Sequence, residues 1–129
     1  MSAYITKRNL AAIVDSLDLY GIQQALLDQV FTSEDLVDFY TSRISQINDQ
    51  LRAVTCTHPD TNAIAIQRNH ERSNDQTLGP LHRILFVVKH TFITTEELDT
   101  TVGSHALVGV KYKTEPTVIS KLNSAKQAL

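Results

Sequence analysis

Apolar residues return at Leu10, Ile13, Val14, Leu17, Leu19, Ile22, Leu26, Leu27 and Val30, with Gly21 among them. That spacing is close to a 3.6-residue turn and predicts two short helices or one kinked helix. Thr32 then offers a hydroxyl N-cap, and Glu34 and Asp35 follow in the first turn, where negative charge opposes the helix dipole. Behind the cap, Leu36, Val37, Tyr40, Ile44 and Ile47 fall on one helical face, while Asp38, Arg43 and Gln46 fall elsewhere. The rhythm changes at Leu51 to Thr57, a stretch rich in β-branched residues that ends at the turn signal His58-Pro59-Asp60 and so reads as a strand. Asn62 to Arg72 reads as a helix.

Ser73 to Leu78 is polar and is followed by the breaker Gly79-Pro80, which predicts a surface loop. Ile84-Leu85-Phe86-Val87-Val88 is a continuous apolar run, the pattern of a strand buried on both faces, and it stops abruptly at Lys89. Thr91 to Gly109 has no period and is expected to be loop with a short helical turn near Ser104 to Leu107. Thr114 can cap a last helix, with Pro116 in its first turn and Val118, Ile119 and Leu122 as its apolar face. Helices and strands interleaved in this way predict an α/β fold. There is no internal repeat, low-complexity tract or linker.

Composition narrows the function. The 129 residues suit one domain, and 42% hydrophobic with 20% charged residues is a globular balance that disordered chains lack. A net charge of -2 leaves no basic footprint, so neither nucleic acid nor a membrane surface is expected as a partner. No segment approaches the roughly 20 apolar residues of a membrane span. Cys56 is the one cysteine and no Asn-x-Ser/Thr site occurs, which together point to the cytoplasm.

Lys89 is the most suggestive chemical group. An amine at the end of an apolar strand loses hydration, which favours the neutral form that can accept a proton; the alternative is a lysine that only marks where a buried strand surfaces. Asp99, Ser104 and His105 hold the letters of a hydrolase triad, but Ser104 and His105 are adjacent and point apart. Cys56 and His58 share a strand face, yet a metal needs about three or four ligands. The interval from Gly103 to Lys111 does not fit a phosphate-binding loop. No metal and no cofactor is expected.

The run Thr77-Leu78-Gly79-Pro80-Leu81-His82-Arg83-Ile84-Leu85-Phe86-Val87-Val88-Lys89-His90 resembles the Gly-Pro-Leu-His-Gly-Ile-Pro-Phe-x-Val-Lys-Asp segment of amidase-signature enzymes. Asp99-Thr100-Thr101-Val102-Gly103-Ser104 is similar to the Thr-Thr-Ala-Gly-Ser turn of the same family, and Ala106-Leu107-Val108-Gly109 continues it. Thr32 to Asn48, Leu51 to Val54 and Thr117 to Leu122 resemble its flanking helices and strand, with fungal acetamidase-like members in particular.

The resemblance implies the N-terminal portion of an amidase-signature fold, with helices packed on a mixed β-sheet, truncated. Residues 1–31 would be N-terminal helices and 32–129 the start of the amidase core. It implies a Ser-Ser-Lys triad acting on carboxylic amides, in which Lys89 is the retained lysine and both serines are missing. The expectation is therefore a catalytically incomplete chain, with a small amide as substrate if active and self-association through an exposed apolar sheet edge. The alternative is a non-catalytic fragment that binds a full-length amidase or another partner. Three departures support incompleteness: Arg83 stands where the family has Gly, Leu85 where it has Pro, and His90 where it has Asp.

Overall fold

The computed structural model describes residues 7–73, 81–82, 84–94 and 98–127. Its first two helices are α1 (Lys7–Ser16) and α2 (Leu19–Leu27). The break between them falls at Leu17-Asp18 because Asp18 caps α2, its Oδ1 accepting from the Gly21 N–H at 2.8 Å. Gly21 lies inside α2, and a Cβ there would come within 2.9 Å of Leu17 Cδ2, so the bare backbone lets Leu17 fold back over the helix. At the other end Gln29 adopts φ 56° and the Val30 N–H donates to the Ala25 carbonyl at 2.8 Å, a Schellman closure.

Helix α3 (Ser33–Leu51) begins as its sequence predicts. The Asp35 N–H donates to Thr32 Oγ1 at 3.1 Å, and the Thr32 N–H donates back to Asp35 Oδ2 at 2.8 Å, which closes a capping box. Phe31 and Leu36, the residues on either side of that box, are buried in one cluster with Leu10, Val14, Ala25 and Leu26. Leu36 is 1% exposed, and removing it to Ala would cost about 2–5 kcal/mol. Burial fades along the predicted apolar face: Leu36 and Val37 are buried, Tyr40 and Ile44 half-buried, and Ile47 exposed. Burial, assisted by the Asp15 charge and opposed by Arg43, raises the Tyr40 phenol above its ordinary range.

Helix α4 (Thr61–Ser73) packs on α3, which also meets α1. Asn69 ties α4 to the start of α3: its Oδ1 accepts from the Ser33 N–H at 3.2 Å and its Nδ2 donates to Glu34 Oε1 at 2.7 Å. Arg43 reaches Asp15 at 2.9 Å, but both side chains are about half exposed, so the pair adds little. The last helix is α5 (Thr117–Gln127), and it starts two residues later than a Thr114 cap and a first-turn Pro116 would allow. Pro116 stands just before it, its carbonyl accepting from the Ser120 N–H. The short helical turn expected near Ser104 is a 3-10 turn at His105–Leu107.

The α/β expectation is overturned. The described residues are helical with no strand, so neither a mixed β-sheet nor a sheet edge is present among them. Two segments read as strands for reasons that the structure exposes. In Leu51 to Thr57, Asn48 supplies what a neighbouring strand would: its Nδ2 donates to the Val54 carbonyl at 2.8 Å and its Oδ1 accepts from the Val54 N–H at 2.9 Å. With both backbone groups of Val54 satisfied by one carboxamide, no ladder is required there. Ile84 to Val88 lacks the two-sided cover that its composition predicted. Ile84, Phe86 and Val88 are half-buried while Leu85 and Val87 are exposed, Val87 at 77%, so one side is covered and the other open. The predicted loop at Ser73 to Leu78, the Gly79-Pro80 breaker and Arg83 lie outside the described residues, apart from the backbone of Ser73 at the end of α4.

A tight turn closes at Thr101 to Ser104, where the Ser104 N–H donates to the Thr101 carbonyl at 2.8 Å. Its two central residues have positive φ, 52° at Val102 and 79° at Gly103. Glycine adopts this freely, but a β-branched residue rarely does.

Two measurements check this account. Asn48→Ala leaves the Val54 N–H and carbonyl without partners and should lower stability in urea unfolding by about 1–3 kcal/mol, while Asn48→Asp, which keeps only the acceptor, should fall between. Val102→Asn should raise stability by about 1 kcal/mol with an unchanged denaturant slope, because Asn tolerates the left-handed region and the exposed Val102 side chain gives up little burial.

Candidate active site

Lys89 lies at the end of the Ile84 to Val88 run, and its carbonyl accepts from the Phe92 N–H at 2.9 Å in a tight turn. The side chain is exposed, so the apolar strand that was to strip water from the amine does not do so among the described residues. Ile84 packs against the helical core, which fixes the start of the run. Its end is fixed by His90. That half-buried ring places Nε2 2.8 Å from the Asp99 carbonyl oxygen and 3.3 Å from the Thr101 nitrogen.

The segment carrying Lys89 is thereby held against the stretch Asp99 to Ser104. Thr100 is the centre of this arrangement and is 2% exposed. Its hydroxyl accepts from the Thr94 N–H at 3.3 Å and donates to the Phe92 carbonyl at 3.4 Å, and its own carbonyl accepts from the Tyr112 hydroxyl at 3.2 Å. A buried hydroxyl with both roles filled costs little to bury and holds two stretches of loop at a fixed separation.

Asp99 does not belong to a triad. Its Oδ2 accepts from the Gly109 N–H at 3.1 Å and its Oδ1 from Lys111 Nζ at 3.3 Å, so the carboxylate closes the loop that follows the turn. The Gly109 hydrogen bond, and then the one from Lys111, lowers the Asp99 carboxyl below its ordinary range. A depressed carboxyl stabilises the folded loop above the ordinary carboxylate range, and the contribution is lost as pH falls through the lowered value. Ser104 and His105 are both exposed, and Ser104 makes no side-chain capping bond. Cys56 is an exposed free thiol, His58 Nδ1 accepts from the Asp60 N–H at 3.1 Å, and among the described residues no three His, Cys, Asp or Glu side chains gather as metal ligands.

Sequence reasoning singled out Lys89 and the turn after Asp99 but missed the clasp of Asp99 on Gly109 and Lys111 and the buried role of Thr100. Neither carries a periodic signal, since both depend on where an irregular loop returns.

Comparison with known proteins gives this geometry its context. The family model for Amidase matches residues 35–128. A protein of Schizosaccharomyces pombe named as an amidase is 35% identical over 108 residues, covering 84% of this chain and 18% of that protein. Another, from Arthroderma benhamiae, is 37% identical over 90 residues, covering 70% of this chain and 15% of its own length. The native peptide amidase of Stenotrophomonas maltophilia superposes with a TM-score of 0.78 at 27% identity, over 85% of this chain and 23% of that structure. The chain thus spans less than a quarter of the length of these relatives, and over the matched part its path follows that of the peptide amidase. On the family-model match, this chain belongs to the amidase family.

Proposed function

We propose that this chain contributes the general base, Lys89, to a hydrolase that cleaves carboxylic amides, and that the 129-residue polypeptide does not turn over substrate by itself. The observation that carries the reading is the position of Lys89: it stands exposed at the end of the run that resembles the family's lysine segment, held beside a turn that resembles the family's Thr-Thr-Ala-Gly-Ser turn. In such an enzyme a neutral lysine takes a proton from a serine, which in turn activates the nucleophilic serine. The resemblance finds a counterpart here for the lysine and none for the two serines. A base with no nucleophile cannot form an acyl-enzyme. An acidic overall balance supports a small-molecule substrate over nucleic acid, and the exposed thiol of Cys56 fits a cytoplasmic setting. Among the described residues no helix is long and apolar enough to cross a membrane.

A second reading, that the chain binds a full-length amidase or a copy of itself, is supported by a different observation. Leu85, at 38% exposure, and Val87, at 77%, present an uncovered apolar side of the lysine segment, and such surfaces associate.

The polypeptide should leave simple amides and esters intact and should not be labelled by a serine-directed fluorophosphonate; turnover that disappears in Lys89→Ala would contradict its inactivity. Fused to the remaining length of the S. pombe relative, it should hydrolyse amides only poorly while the departures in the lysine segment remain, and Lys89→Ala in a fusion with measurable turnover should reduce it by up to about 10⁴–10⁶-fold. Equal activity without the lysine would overturn its role.

Self-association is checked separately. Sedimentation of the wild-type polypeptide should show oligomers or bound hydrophobic dye, and Val87→Glu should return it to a dye-free monomer. Because the Val87 side chain is largely in solvent, that change tests the surface and leaves the core alone.

A further inference from the structure

His90 Nε2 faces two groups with opposite demands. The Asp99 carbonyl can only accept, so the contact at 2.8 Å requires a proton on Nε2. The Thr101 N–H can only donate, so the contact at 3.3 Å requires a bare lone pair on the same atom. One nitrogen cannot serve both at once. The distances rank them: the Asp99 contact at 2.8 Å is short even within the usual N–H···O range of about 2.7–3.2 Å, and the Thr101 contact is 3.3 Å long. A carboxylate at this position could take the Thr101 N–H but could never bond the Asp99 carbonyl.

We propose that His90 is a positioning residue for Lys89: with its proton on Nε2 it donates to the Asp99 carbonyl and so straps the segment carrying the lysine to the start of the turn at Thr101. The strap ties residues 84–90 directly to residues 98–104. Ile84 anchors the run in the core five residues upstream of Lys89, the turn to Phe92 closes just after it, and the strap at His90 acts on the residue next to the lysine. The other charges near the strap are occupied or turned away, since the Asp99 carboxylate is engaged with Gly109 and Lys111 and Lys89 points into solvent. The inference rests on Lys89 as the base of the proposed hydrolase.

The test uses the ¹⁵N-labelled 129-residue chain above neutral pH, where long-range proton–nitrogen spectra report which ring nitrogen bears hydrogen. The expected result is the Nε2–H tautomer at His90. His90→Gln, whose amide nitrogen reaches the place of Nε2, should keep the Lys89 and Thr101 signals near their wild-type positions, and His90→Asn, whose amide nitrogen lies nearer the place of Nδ1, should displace both while the α3 signals stay fixed. An Nδ1–H tautomer, or Gln and Asn variants that behave alike, would overturn the proposal. Should both variants unfold, the wild-type tautomer still decides. None of these readouts needs turnover, so they answer for His90 apart from the hydrolysis experiments that answer for Lys89.

Discussion

Phe31 and Leu36 flank a capping box, and both turn into the same buried cluster, the arrangement of a hydrophobic staple. The box fixes the angle at which the chain enters α3, and the staple turns that angle into packing, because α1 and α2 bury Leu10, Val14 and Leu26 against the same point. Asn69 of α4 then bonds the first two residues of α3, so the fourth helix is aligned from the same end. Even the lysine segment is referred to this junction, through Ile84 at the margin of the cluster. Four helices and the approach to Lys89 are therefore registered against one helix start.

What could be read from the sequence follows how far apart the partners stand. The Thr32 cap was legible because its partner, Asp35, is three residues away and the residue types carry the geometry. The helix over Asn62 to Arg72 was legible from its pattern, and the structure extends it by one residue at each end. Two short helices were legible in the first apolar stretch, and the acceptor on Asp18 sets the break between them at Leu17-Asp18. The strand at Leu51 to Thr57 failed for a subtler reason: β-branched composition reports a backbone that needs a partner, and the sequence does not reveal that a side chain on the preceding helix fills that need.

The Ile84 to Val88 run makes a complementary point. Its composition anticipates cover on two sides, and the described residues supply it on one. The chain is similar in path to the peptide amidase, which is more than four times the length of the matched portion. The apolar composition of the run is thus met only in part, with Ile84 packed on the helical cluster and Leu85 and Val87 left exposed. Position and exposure separate here: Ile84 and His90 tether the run at its two ends, while Leu85, Val87 and Lys89 stay open to solvent.

The loop carrying the site also has a kinetic character. Its bracing contacts are short in sequence, nine residues from His90 to Asp99, ten from Asp99 to Gly109 and twelve from Asp99 to Lys111. Closing loops of about ten residues takes roughly 10–100 ns, far faster than the assembly of distant strands. The surroundings of Lys89 can therefore arrange themselves from neighbouring sequence as soon as those residues are available. An emerging polypeptide would have its basic group in place before any distant segment had to find it.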